Sequence, residues 1–152
     1  MDLQIIQNKI FEIRGCRVML DFHLAELYGV QTKVLKQAVK RNEKRFPSDF
    51  RFTMTKEEWH ELVTNCDQLP ESLKHSYVLP DCFTEQGVAM LSSVLRSQTA
   101  IDVNISIMRA FVLMRQMSIG YEELLKRIEE LEQSTDAQFS EVYQALTQLL
   151  SK

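Results

Sequence analysis

From Ile5 to Val18, apolar β-branched residues flank Arg14-Gly15, a pattern that predicts two short strands joined by a tight turn. Asp21 offers a helix N-cap, and Phe22 to Tyr28 reads as a short helix ended by Gly29. A second helix is expected from Thr32, or Gln31, to about Arg45. Pro47 stops it, because proline lacks an amide proton and restricts the residue before it. Phe50 to Met54 alternates like a strand, and Thr55-Lys-Glu-Glu58 forms a capping box that opens a helix from Lys56 to about Val63. Residues 64–76 are polar, contain a proline and show no period, so a flexible loop is expected there. Ser76 to Phe83 reads as extended, with Pro80 at an edge. Thr84 caps a helix whose apolar face is Val88, Leu91, Val94 and Leu95. The next helix, Thr99 to Met117, carries Ile101, Ile105, Met108, Phe111 (or Val112) and Arg115 at helical spacing.

The pattern changes after Gly120. Residues 121–152 contain no proline or glycine, and hold seven acids against three bases. Apolar residues recur at Leu124, Ile128 and Leu131, then at Phe139, Val142, Leu146 and Leu149. The two sets join through Thr135 by two steps of four, a stutter that locally unwinds a left-handed supercoil. These seven residues are the expected oligomerisation seam of a coiled coil of two to four strands, since one isolated helix would leave the stripe wet. A helix folding back onto the globular body is the alternative. The chain of 152 residues thus divides into a domain at 1–118 and an oligomerisation helix at 119–152. The expected class is α+β: a small N-terminal hairpin and short strands around a helix-turn-helix-like core, followed by the C-terminal coiled-coil helix.

Composition sharpens this. Hydrophobic residues make up 45% and charged residues 26%, as in a folded globular protein rather than a disordered one. The N-terminus has no basic stretch followed by an apolar core, and no apolar run approaches a membrane span, so a cytoplasmic location is expected. Cys16, Cys66 and Cys82 include no C-x-x-C pair and read as reduced thiols, Cys16 and Cys82 half-buried in strands.

A net charge of −3 does not advertise a nucleic-acid partner, but its distribution does. Between Gln31 and Arg51 there are seven cations and two acids, a local balance of +5. Lys33, Lys36, Lys40 and Lys44 recur at spacings of 3, 4 and 4 along one stripe, with Val34, Leu35, Ala38 and Val39 assigned to the other side. Ala25, Gly29, Val30, Leu35 and Ala38 suit a tight two-helix unit, in which Gly29 supplies the positive φ of the turn. A second helix of this kind can enter a major groove with Thr32, Lys33, Lys36 and Gln37 nearest the bases. Gln37 would pair with an adenine edge, while Lys40, Arg41, Lys44 and Arg45 would hold phosphates. A solvated charged face is the competing reading of the same stripe.

The order VMLDFHLAELYGVQTKVLKQAVKRNEKRFPSDFRFTMTKEEW, then LPDCFTEQGVAMLSSVLRSQTAIDVNISIMRAF, closely resembles the phage open-reading-frame-six N-terminal domain family, which is grouped with the KilA-N and Bro-N domains. The likeness covers roughly residues 5–117, and KRNEKRFPSDFRF and FTEQGVAMLSSVL are its most distinctive segments. It implies a double-stranded-DNA-binding module without enzymatic activity, acting in transcriptional regulation or antirepression in phages and prophages. The binding element it implies is Ala25 to Arg45, with Tyr28 and Phe46 as packing residues. Members often carry a Gly-Gly-Arg-Arg-like stretch ahead of the LP…FTEQG segment. This chain has NCDQLPESLKHSYVLP there, with only Lys74 and His75 as possible cations, so a phosphate contact through that loop is not carried over.

Other constellations point nowhere sharper. Glu85-Gln-Gly in FTEQG reads as a capped helix N-terminus. His23, His60 and His75 form no H-x-x-x-H pair, and the four glycines do not cluster into a phosphate loop. No cofactor, metal or catalytic group is therefore expected. The main alternative to DNA binding is a protein-interaction module that sequesters a repressor.

Overall fold

A computed structural model describes residues 2–65, 78–133 and 137–150, the side chains of 137–142 excepted. Most of the loop expected at 64–76, with Cys66, Lys74 and His75, lies outside the described residues. The architecture is α+β, and the chain divides into two compact units, Met1–Phe111 and Val112–Lys152.

The first unit begins with a helix, α1 (Leu3–Gln7), where a strand was expected at Ile5 and Ile6. The Asp2 carboxylate accepts from the Gln4 N–H at 2.9 Å, and Gln4 bonds Asn8 one turn on. That local capping outweighs the β-branched pair. Strands β1 (Ile10–Ile13) and β2 (Cys16–Leu20) form the expected hairpin. Arg14 and Gly15 both take positive φ, 55° and 74°, as a two-residue turn matched to the strand twist requires.

After β2 come α2 (Asp21–Tyr28), α3 (Thr32–Arg41) and a 3-10 turn at Glu43–Arg45. Strand β3 (Arg51–Thr53), α4 (Lys56–Asn65), β4 (Asp81–Thr84), α5 (Glu85–Leu91) and the long α6 (Gln98–Gln133) follow. The sheet is antiparallel throughout, in the order β1-β2-β4-β3. β2 is covered on both faces, since Val18, Met19 and Leu20 are all fully buried. Val18, Leu20 and Cys82 pack with Met54 and with Trp59 of α4. Met19 and Phe83, paired across β2 and β4, point the opposite way, where Phe83 meets the edge of Phe46 at 6.0 Å. Cys16 and Cys82 lie in strands, but neither is half-buried: Cys82 is buried and Cys16 is exposed at the hairpin end of β2.

The capping box is formed as read. Thr55 N–H donates to Glu58 Oε1 at 2.9 Å, and Glu58 N–H donates to Thr55 Oγ1 at 3.1 Å. Thr84 caps α5 in the same way, accepting from the Gly87 N–H. Gly87 has a separate duty: a Cβ there would overlap the Phe50 carbonyl oxygen. The FTEQG and SDFRF segments thus pack backbone to backbone, and both motifs are packing features.

α6 does not stop at Met117 but runs 36 residues through Gly120. One glycine costs a helix interior about 1 kcal/mol, which the helix-forming Glu, Leu, Lys and Arg after it outweigh. In the second unit the tail is two helices, the end of α6 and α7 (Ala137–Leu150). The Tyr121 hydroxyl donates to the Leu150 carbonyl at 2.7 Å, so α7 doubles back along α6. Of the expected seam, Ile128 is buried, whereas Leu124, Leu131, Leu146 and Leu149 are exposed. The side chains of Phe139 and Val142 lie outside the described residues.

Candidate nucleic-acid interface

α2 and α3 are set by the turn between them. Gly29 ends α2 in the left-handed region, and Val30 N–H returns to the Ala25 carbonyl at 3.0 Å. Leu24 and Ala25 are buried, as are Leu35 and Val39 of α3, so the two helices share one apolar seam. Tyr28 extends it: its hydroxyl donates to Asn104 on α6, and burial raises its pKa.

That seam fixes which side chains of α3 look outward. At about 100° per residue, Gln37 stands opposite the Leu35–Val39 direction. Lys33, Lys40 and Arg41 flank it, all exposed, and among the described residues none forms an ion pair. Gln37, Lys40 and Arg41 border a shallow depression of about 380 Å³. Val34, assigned to the packing side, is instead 46% exposed on this outer face. Thr32, the first residue of α3, is half-buried; Gln31 caps only through its carbonyl, which accepts from Val34 and Leu35.

Lys36 sits at the border rather than in the stripe. Its Nζ lies 3.3 Å from Asp21 Oδ2, a carboxylate whose side chain is only 3% exposed. Asp21 is the first residue of α2 and not its cap; Leu20 holds the cap position without a side-chain bond. The Asp21 carboxylate accepts from the Phe22 N–H at 2.7 Å and the Asp81 N–H at 3.0 Å. Burial pushes its pKa up, against the Asp81 amide and Lys36, which pull it down. One buried carboxylate therefore ties together β4, α2 and α3.

The basic stripe also ends earlier than its spacing suggests. α3 closes at Arg41, where the Asn42 side chain donates back to the Ala38 carbonyl at 2.8 Å. Lys44 and Arg45 belong to the 3-10 turn, both exposed, and Arg45 donates to Ser93 Oγ at 3.1 Å. Arg51 leaves the group altogether, lying 3.3 Å from Asp81. The exposed cations brought together by α3 and its turn are thus Lys33, Lys40, Arg41, Lys44 and Arg45, the last bonded to Ser93, with Gln37 among them.

Sequence reasoning missed Asp21 and its partner. The signal was present: an acid directly after Val-Met-Leu in a fully buried strand must find a donor. Elsewhere, among the described residues, no three His, Cys, Asp or Glu side chains gather, and no helix is long and apolar enough to cross a membrane.

A family model described as the ORF6N domain matches residues 8–94, more than half of the chain, and spans every strand of the sheet as well as α2, α3 and α5. No curated protein and no solved structure matches.

Proposed function

The chain belongs to the ORF6N domain family, a phage-type family, and from that premise we propose that it binds double-stranded DNA through α3 in phage or prophage regulation. The observation that carries the reading is the outward face of α3. Lys33, Gln37, Lys40 and Arg41 lie together on it, opposite the buried Leu35 and Val39. A ten-residue helix is about 15 Å long and fits the width and depth of a major groove. Set there, Gln37 at the crest pairs its amide with the N6 and N7 of adenine. Val34 and the Thr32 methyl offer apolar contact to thymine methyls. Lys33, Lys40, Arg41 and Lys44 neutralise phosphates on either side, which position the helix without reading sequence.

Lys36 holds the reading helix rather than the DNA. Its ion pair to Asp21 adds a polar tie to the apolar seam that sets the roll of α3 against α2, and that roll aims Gln37. The sheet supports both through the Asp81 amide. The base-reading side chains therefore sit on a rigid, packed element, as accurate recognition requires.

Selection of bound duplexes from a random pool, followed by binding across a salt series, tests this. Retention of DNA at low salt, with affinity falling steeply as salt rises, is the expected result. No retention at low salt, together with capture of a single repressor protein, would replace it with the sequestering role.

A further inference from the structure

On the face of α6 in the first unit, Ile101 and Ile105 are 42% and 46% exposed, and Met108 continues them at steps of four and three. These side chains, with Ala89 of α5, line an open, mainly apolar depression of about 410 Å³. Steps of four and three are the spacing of a helix-pairing seam. Asn104 lies on the same depression, 5% exposed, with its Oδ1 bonded by Tyr28 and its Nδ2 without a partner. Whichever way that amide is turned, one of its polar atoms is left wanting, which a buried amide meets at a cost of about 1–3 kcal/mol.

Charge identifies the occupant. Asp102 and Arg109 are both exposed, seven residues apart, and flank the seam on the same side. When two identical helices pair in opposite directions, positions on the same flank face each other in reverse order. With the crossing point beside Ile105, Asp102 of one chain comes to face the partner's Arg109, and the reverse, so the surface complements itself. A parallel pairing brings no such match.

We propose that this α6 face joins two copies of the chain antiparallel about a two-fold axis beside Ile105. Ile105 packs against its own copy on the axis, Ile101 and Met108 close the seam, and each Asp102 pairs with the partner's Arg109. A two-fold interface of this kind is self-complementary, and closed dimers are its natural product.

Sedimentation equilibrium of the full chain tests the proposal, with circular dichroism melts confirming that each variant is folded. The wild-type chain is expected to be dimeric. Asp102→Arg and Arg109→Asp should each weaken dimerisation by about tenfold, since like charges then meet twice across the axis. The double variant Asp102→Arg/Arg109→Asp should restore it, and Ile105→Glu should abolish it. A monomeric wild type overturns the proposal. So does a dimer that both charge reversals leave intact while Leu124→Glu dissolves it, because the tail would then be the interface. Failure of the double reversal to restore dimerisation overturns the antiparallel arrangement.

Discussion

The ammonium of Lys36 lies 3.3 Å from the buried Oδ2 of Asp21, so the most central lysine of the basic helix is anchored inward. Lys36 and its neighbours should therefore separate into two phenotypes. Lys36→Met leaves a buried carboxylate short of a partner and is expected to cost about 1–3 kcal/mol of stability. The Asp21 pKa, already raised by burial, rises further without the cation. A carboxyl with a raised folded pKa stabilises the fold most when protonated, so the variant's deficit should be largest at neutral pH and shrink on acidification. Chemical denaturation at pH 7 and pH 4 reads this directly.

Lys33→Ala with Lys40→Ala should do the opposite. Both side chains are exposed, so the melt should stay within about 0.5 kcal/mol of wild type. DNA affinity should fall, and the slope of log K against log salt should drop by about 0.9 for each phosphate no longer neutralised. An unchanged slope would remove α3 from the interface.

Gln37→Ala should change what is read rather than how tightly phosphate is held. Discrimination at one adenine should fall by about 1–3 kcal/mol, with the salt slope preserved. Binding to a panel of single-base operator variants distinguishes the two effects.

Acid should destabilise the first unit over two pH windows, each of which a single variant can remove. His23 is buried between Phe11 and Phe22, and desolvation lowers its pKa to about 4. The unfolded chain binds that proton first, so stability falls as pH drops from 6.5 to about 4. Glu58 is held at about 2 by its hydrogen bonds from Arg14 and from Thr55, so its contribution is present above 4.5 and lost as pH falls toward 2. His23→Phe should flatten the upper window and Glu58→Gln the lower one, in denaturant midpoints taken across pH.

Gly87→Ala should be the most damaging conservative change in the head. Its Cβ would overlap the Phe50 oxygen and sit 3.0 Å from the Phe50 carbonyl carbon, and both are backbone atoms that cannot swing aside. A loss of about 1–3 kcal/mol or more is expected, seen as a lowered melting temperature.

How much of this was legible beforehand depended on whether the cause was local. The hairpin turn, the Gly29 stop, the Thr55–Glu58 box and the Thr84 cap all rest on residues within a few positions of each other, and each formed as read. Less is legible where a distant group decides. Lys36 fits the lysine stripe by spacing, yet Asp21, positioned by an amide from β4, captures it. Val34 has the composition of a core residue, but Leu35 and Val39 take the only buried face α3 has. One local cause also escapes the spacing: the end of α3 at Arg41 turns on the Asn42 side chain reaching the Ala38 carbonyl, a competition that charge periodicity does not register. In the tail, heptad spacing carried no sign that α7 reverses on α6.

The strand order β1-β2-β4-β3 also has a kinetic side. β4 is the last of the four strands in the chain, yet it stands between β2 and β3. Asp81 and Asp21, which it brings together, are sixty positions apart. A nascent chain can form the hairpin and nucleate α2 early, but β2 keeps a bare edge until β4 is synthesised. Such non-local closure slows folding and leaves an aggregation-prone edge in waiting. The Asp81 amide reaches the Asp21 carboxylate only in that same late step, so a half-made chain carries the charges of α3 while the carboxylate beneath Lys36 still lacks one of its donors.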